Sequence, residues 1–186
     1  MEYLLIFDLL LFLYLQSMKY STSTPNDISA IKQLLDAAFE QPQEGLLVEK
    51  LFKSKEFIPQ LSIMVHDQEE LIGYILFTQL PIKGSSHQSL ALAPMAVSPN
   101  RQKQGVGSAL IKYALEQAKQ LGYTSVVVLG HAEYYPKFGF VPAASTWGIT
   151  CPFPVPDEAF MALELQENAL KGVRGEVIYA PAFSEM

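Results

Sequence analysis

The sequence predicts an α/β (α+β) fold in a single domain, and three stretches carry that expectation. Residues 90–122 read as an apolar strand (Leu90–Val97), a polar loop with two glycines, and an amphipathic helix that stops at Gly122. Leu61–Val65 and Leu71–Leu80 are strands joined by a polar turn around Asp67–Glu70, a hairpin signal. Ser125–Leu129 is β-branched and uncharged, as a short buried strand should be. No internal repeat or low-complexity linker breaks the chain, and 186 residues at 49% hydrophobic content suffice for one core.

Taken in order, residues 1–17 (MEYLLIFDLLLFLYLQS) form an apolar N-terminal extension. The run is too short for a stable membrane span and is broken by Asp8. It also lacks the basic leading segment of a secretory signal. Two readings stand: Met18 is the true start, or the extension packs as an extra apolar helix. Residues 18–186 read as one domain. Lys19–Ser23 is a short first strand. Thr24-Pro25-Asn26-Asp27 is a helix start, with Thr24 as N-cap, Pro25 in the first helical position and Asp27 closing a capping box. Ile28, Ile31, Leu34, Leu35 and Ala38 then recur at helical spacing. A second helix covers Glu44–Ser54, with Leu47, Val48, Leu51 and Phe52 inward. Pro81–Gln88 is a loop. The helix Val106–Leu121 puts Leu110, Ala114, Ala118 and Leu121 on one face, and Gly122 ends it. Phe160–Leu165 and Gly175–Tyr179 are the last strands, expected to pair with each other antiparallel.

Charge and cysteine content narrow the function classes. A net charge of −6 and a pI of about 5.0 argue against nucleic acid as a partner and are compatible with a cationic substrate. The single cysteine, Cys151, excludes an internal disulfide and a multi-Cys zinc site. His66, His87 and His131 are scattered without metal-ligand spacing. A cytoplasmic, metal-free protein is the default. The apolar extension and the hydrophobic tail leave room for a homodimer.

The loop Gln102-Lys103-Gln104-Gly105-Val106-Gly107-Ser108 is the most informative segment. Its glycines let a ligand approach the backbone, since no Cβ stands in the way. The helix that follows presents unpaired N–H groups and the positive end of its dipole. Together these make an anion site of the kind that holds a pyrophosphate. A nucleotide P-loop would need Lys-Ser or Lys-Thr where Ser108-Ala109 stand, and a dinucleotide fingerprint would need Gly or Ala at Leu110. Just upstream, Pro94 interrupts the apolar strand, and a Pro cannot donate to a sheet ladder. It marks either a bulge or splay that frees backbone groups, or a sheet edge.

The loop satisfies the pattern Gln/Arg-x-x-Gly-x-Gly/Ala. Downstream, Gly130–Phe140 (GHAEYYPKFGF) contains Tyr-x-x-x-Gly-Phe, with Tyr135, Gly139 and Phe140 in those positions. Two such motifs, in this order and at this separation, resemble the GNAT superfamily of acetyl-coenzyme A-dependent N-acetyltransferases. The segments LAPMAV, VVVLGHAEYYPKFGF and PDEAFMALEL resemble its YhbS-type predicted acetyltransferase subgroup, over essentially Met18–Phe183. That subgroup often has Asp-Pro where this chain has His131-Ala132, which leaves the role of His131 open. The resemblance implies a mixed, mostly antiparallel central sheet flanked by helices and splayed at the central strand. It implies that Met95, Ala96 and Val97 offer backbone groups to the pantetheine arm, and that Gln102, Lys103, Gln104, Gly105, Val106, Gly107 and Ser108 hold the pyrophosphate. Acetyl-coenzyme A would be the acyl donor, with no metal, and an amine the acceptor. The catalytic acid falls on Tyr135.

The chemistry this implies sets demands on the residues. A Lys-like amine with a pKa near 10.4 is only about 0.04% neutral at pH 7, so a base or a desolvated channel is needed. The leaving thiolate must be reprotonated, a task for Tyr135, and the oxyanion would meet the N–H of Met95 or Ala96. Tyr134 is expected to pack against the loop. Glu44 and Glu133 are carboxylate candidates for the base, beside a relayed water, and none is preferred. Trp147, Phe153 and the run Cys151–Pro156 form either a loop at the acceptor cleft or a rigid connector. Cys151 has no His partner nearby in sequence and is not expected to be a nucleophile. Two further classes stay open: a non-catalytic acyl-coenzyme A-binding sensor, and an interaction module that binds no coenzyme.

Overall fold

Thr24 begins the first helix as its sequence requires. Its N–H donates to the Asp27 carboxylate at 2.8 Å and its hydroxyl accepts from the Asn26 N–H at 3.3 Å, the reciprocal capping box. The molecule is described here by a computed structural model that covers residues 13–185. Residues 13–17 are helical, with Tyr14 and Leu15 packed on the main core. The rest of the 1–17 expectation lies outside the described residues. Next come β1 (Lys19–Thr22), α1 (Ile28–Phe39), α2 (Gln43–Leu51), β2 (Phe57–Asp67), β3 (Glu70–Pro81), β4 (Gln88–Val97) and α3 (Val106–Gln120). These are followed by β5 (Ser125–Leu129), β6 (Val141–Pro142), α4 (Ala143–Trp147), β7 (Ile149–Thr150), β8 (Phe160–Glu164) and β9 (Gly175–Glu176).

Among the described residues, seven strands form one sheet in the order β1-β2-β3-β4-β5-β8-β6, antiparallel except for the parallel pair β4–β5. A parallel pair needs a long crossover, and α3 supplies it. Leu110, Ile111, Ala114 and Ala118 of α3 are buried with Val65, Ile75, Leu90, Leu92 and Val126 on one face of the sheet. Each fully buried Leu or Ile contributes roughly 1.5–3 kcal/mol. Ile31, Leu34 and Leu35 of α1 and Leu47, Val48 and Leu51 of α2 cover Met64, Tyr74, Leu76 and Ala96 on the other face.

The central strands define the site. The β4–β5 ladder joins only Leu90–Leu92 to Val126–Val128, whereas β4 stays paired with β3 as far as Val97. Between the pairs Phe77–Leu92 and Ile75–Met95, β4 carries one residue more than β3, so the strand bulges at Ala93–Pro94. The splay at Pro94 is therefore present, and the edge reading fails because β4 lies in the interior of the sheet. At the other end of the same strands, His87 Nε2 lies 2.7 Å from the Ser125 hydroxyl, which donates to Ser89 at 2.8 Å.

Two expectations need correction. Gly175–Tyr179 does not pair with Phe160–Leu165: β9 pairs parallel with β7, and the free side of β8 is taken by β6. Gly175 decides this. Its φ of +129° and its close approach to the Lys83 carbonyl oxygen admit no side chain, and they turn the segment toward Ile149. Leu121 does not share the inward face of α3. The helix ends at Gln120, and Leu121 is 46% exposed.

Candidate functional site

The first turn of α3 is left open by its own sequence. Gly105 sits at the N-cap with φ +82°, and neither a side-chain cap nor an acidic residue occupies that turn. Its backbone donors face outward with the positive end of the helix dipole. The preceding loop is braced internally: Gln102 Nε2 donates to the Val97 carbonyl at 3.2 Å and Gln104 Nε2 to the Asn100 carbonyl at 2.9 Å. Arg101 pairs with Asp67 at 3.2 Å and Glu70 at 3.0 Å, tying the loop to the β2–β3 turn. The two glutamine side chains thus hold the last carbonyl of β4 and one carbonyl of the loop. Val106 has its side chain in the core. What this segment presents to a ligand is backbone N–H, supplemented by the exposed side chain of Lys103 and the hydroxyl of Ser108. Leu15 lies against Gly105, with methyl carbons 3.4 and 3.6 Å from where a Cβ would stand.

The splay opens beside this turn. Around Gly107, the Tyr134 hydroxyl, Met95 Cε and Val97 Cγ2 converge at 2.9, 3.2 and 3.4 Å from the position of a Cβ. Met95 and Val97 face the α3 side, while the Ala96 side chain is buried on the α1–α2 side. Beyond Leu92 none of these residues is paired with β5, so their backbone groups on that side are not committed to the ladder.

Tyr135 and Tyr134 divide their work. Tyr135 is buried, edge-on to Tyr134 (5.3 Å, 83°) and to Phe140 (5.6 Å, 70°), and burial raises its pKa well above the ordinary value. It holds its proton more tightly than a free tyrosine would. Tyr134 is half-buried, with its hydroxyl beside the first turn of α3; desolvation raises its pKa and the neighbouring Ser108 side chain pulls the other way. Sequence reasoning assigned Tyr134 to packing and overlooked its hydroxyl. The doubled tyrosine at a 3-10 turn was the available signal, because successive residues there point about 120° apart.

His131, Ala132, Glu133, Tyr134 and Lys137 line a depression of about 400 Å³. Glu133 is thus next to the tyrosines. Glu44, by contrast, is on α2 across the sheet from α3 and accepts from Gln41 at 2.9 Å. Burial pushes the Cys151 thiol up, away from the thiolate a nucleophile needs. Phe153 stacks on Tyr179 (5.9 Å, 23°), which contacts Phe183 at 4.9 Å, so the Cys151–Pro156 loop is fastened to the C-terminal segment. Trp147, the last residue of α4, is half-buried against the cluster that contains Leu80, Ile149 and Phe160. Among the described residues no group of three or more His, Cys, Asp or Glu is arranged to hold a metal, and no helix is long and apolar enough to cross a membrane.

With this geometry in hand, comparison with known proteins is informative. Residues 28–140 match the family model of the acetyltransferase (GNAT) family. The uncharacterized N-acetyltransferase YjhQ of Escherichia coli (strain K12) is 38% identical over 135 residues, covering 72% of this chain and 75% of that protein. The uncharacterized N-acetyltransferase YhbS of the same strain is 32% identical over 160 residues, covering 86% and 95% respectively. The crystal structure of E. coli YhbS in complex with CoA superposes with a TM-score of 0.84 at 30% identity, over 90% of this chain and 92% of that one. A GNAT family acetyltransferase from Brucella melitensis in complex with acetyl-CoA gives 0.73 at 27% identity, over 89% and 97%.

Proposed function

The chain belongs to the GNAT family of acetyltransferases, and on that premise we propose that it acetylates a primary amine, of a small molecule or a protein, by direct attack on the thioester. The enzyme is an acyltransferase whose acetyl donor is acetyl-coenzyme A; related structures hold CoA or acetyl-CoA. The observation that carries the reading is the opening of β4 away from β5 beyond Leu92, beside the uncapped first turn of α3. It supports a pyrophosphate held by the N–H groups of the Gln102–Ser108 segment and a pantetheine arm laid along Met95–Val97.

In the proposed reaction the amine nitrogen forms a bond to the thioester carbonyl carbon, and the oxyanion is met by the N–H of Met95 or Ala96. As the tetrahedral intermediate collapses, the C–S bond breaks and the thiolate takes a proton from Tyr135. The amine's surplus proton leaves to water or a carboxylate and restores the tyrosine. Coenzyme A supplies the activated acyl group; the chain supplies position, oxyanion contact and proton. Tyr135 is protonated at neutral pH, as a donor requires. Burial raises its pKa further and makes it a weaker acid, so collapse of the intermediate, rather than the tyrosine's acidity, drives the transfer to the thiolate. The reading treats residues 18–186 as a single N-acetyltransferase domain. It places the enzyme in the cytoplasm, on the strength of a net charge of −6 and a single cysteine.

The test is calorimetric titration of acetyl-coenzyme A, followed by a free-thiol assay over a panel of amines. Binding with amine-dependent thiol release is expected. Binding without release across small amines, amino acids, polyamines and peptide amines would overturn amine acetylation. No binding would overturn the coenzyme site itself.

A further inference from the structure

Tyr134 links two places on the surface. Its hydroxyl reaches the first turn of α3, 2.9 Å from where a Cβ on Gly107 would stand, and its ring forms part of the depression of about 400 Å³ lined by His131, Ala132, Glu133 and Lys137. The Lys137 ammonium stands 5.7 Å from the centroid of that ring. Lys137 is exposed and makes no ion pair with any described residue, unlike Arg101, whose charge is spent on Asp67 and Glu70. A cation over an aromatic face, in a hollow one tyrosine's length from an anion-binding helix turn, fits a second anion carried on a flat group.

Coenzyme A has such a feature. Apart from its pyrophosphate it carries a 3′-phosphate on the ribose, next to a planar adenine. We propose that the depression seats the nucleotide end of coenzyme A and that Lys137 selects for the 3′-phosphate. The assignment rests on the coenzyme reading above and extends it to a residue outside the Gln102–Ser108 segment. Glu133 shares the rim and bears the opposite charge, and of the two nitrogen-bearing side chains there, His131 and Lys137, Lys137 is the permanent cation and the one set over the Tyr134 ring. A Lys recognises phosphate as a point charge, and an exposed one does so in a salt-dependent manner.

Dephospho-coenzyme A lacks only that phosphate, which makes the test direct. Calorimetric affinities for coenzyme A and dephospho-coenzyme A are compared in the wild type, Lys137→Gln, Lys137→Arg and Lys103→Gln proteins. The wild type is expected to prefer coenzyme A by about tenfold, with the preference shrinking as salt is raised. K137Q should lose the preference by weakening coenzyme A alone, K137R should keep it, and K103Q should weaken both ligands alike. Equal wild-type affinities, or a K137Q protein that retains the preference or loses affinity for both equally, would overturn the assignment. If neither ligand binds the wild type, the coenzyme reading falls first and this one with it.

Discussion

Gly130 and Tyr135 are packed so closely that no side chain fits between them: a Cβ on Gly130 would run into the edge of the Tyr135 ring. The glycine is not there for a special backbone angle, since its φ is not positive. It is there to let a buried ring come close against the end of β5. The position of the proposed proton donor is thus set by a residue that carries no chemistry.

Gly130→Ala should therefore act through Tyr135. Overpacking of this kind costs about 1–3 kcal/mol in stability. Turnover should fall while acetyl-coenzyme A affinity changes little, because the loop and α3 are untouched. Thermal melting and steady-state kinetics on the same preparation check this, and a variant with wild-type turnover would detach Tyr135 from the reaction.

Tyr135→Phe removes the hydroxyl and leaves the ring in its edge-on contacts with Tyr134 and Phe140. Loss of a positioned acid lowers the rate by about 10²–10⁴-fold. The expected result is a drop in kcat with an unchanged coenzyme dissociation constant. Tyr134→Phe is the matched control: it removes the hydroxyl that stands beside Gly107 on the first turn of α3 and should act on coenzyme affinity before it acts on kcat.

At the loop, Gly105→Val combines two costs. A β-branched residue at φ +82° is strained by roughly 1–2 kcal/mol, and its methyls would meet Leu15. The variant should fold with a lowered Tm and lose acetyl-coenzyme A binding. Gly105→Ala, whose Cβ meets Leu15 only in ordinary contact, isolates the backbone cost. Unchanged coenzyme affinity in G105V would show that this turn does not hold the pyrophosphate.

The polar chain His87–Ser125–Ser89 sets an acid limit on stability. Burial lowers the pKa of His87 below its ordinary 6.5, so the unfolded chain takes up a proton at a higher pH than the folded one. Stability contributed by neutral His87 is complete above about pH 6.5 and declines as pH falls from there through the folded-state value. Tm measured between pH 4.5 and 8 should fall on the acid side, and the fall should be shallower in His87→Gln. Identical pH profiles for the two proteins would remove His87 from the account.

What the sequence disclosed depended on whether a residue's role was local. Thr24 and Asp27 cap a helix from three residues apart, and the apolar run Leu71–Leu80 after the polar turn Asp67–Glu70 marks a hairpin strand without reference to the rest of the chain. Pro94 and the Gly105–Gly107 pair were legible for the same reason. The two loop glutamines showed their side-chain type but not their partners, which are the carbonyl at the end of β4 and one of their own loop. The partner of Gly175–Glu176 was misread because it depends on a long-range backbone approach to Lys83. Tyr134 was underrated because the direction of its hydroxyl depends on where α3 lies, which its neighbours in sequence do not encode.

The bulge at Pro94 has a counting consequence. Before it, the even-numbered residues Leu90 and Leu92 look toward α3; after it, the odd-numbered Met95 and Val97 do. The strand changes parity once, in mid-course. Removing a single residue there would take the bulge out and leave Met95 and Val97 still facing α3, because the residue left opposite Leu76 would restore plain alternation; what would be lost is the kink at which β4 parts from β5. Substitutions within β4 alter one side chain at a time. A one-residue deletion would keep every facing and straighten the strand instead, so the opening between β4 and β5 depends on the length of this strand as well as on its composition.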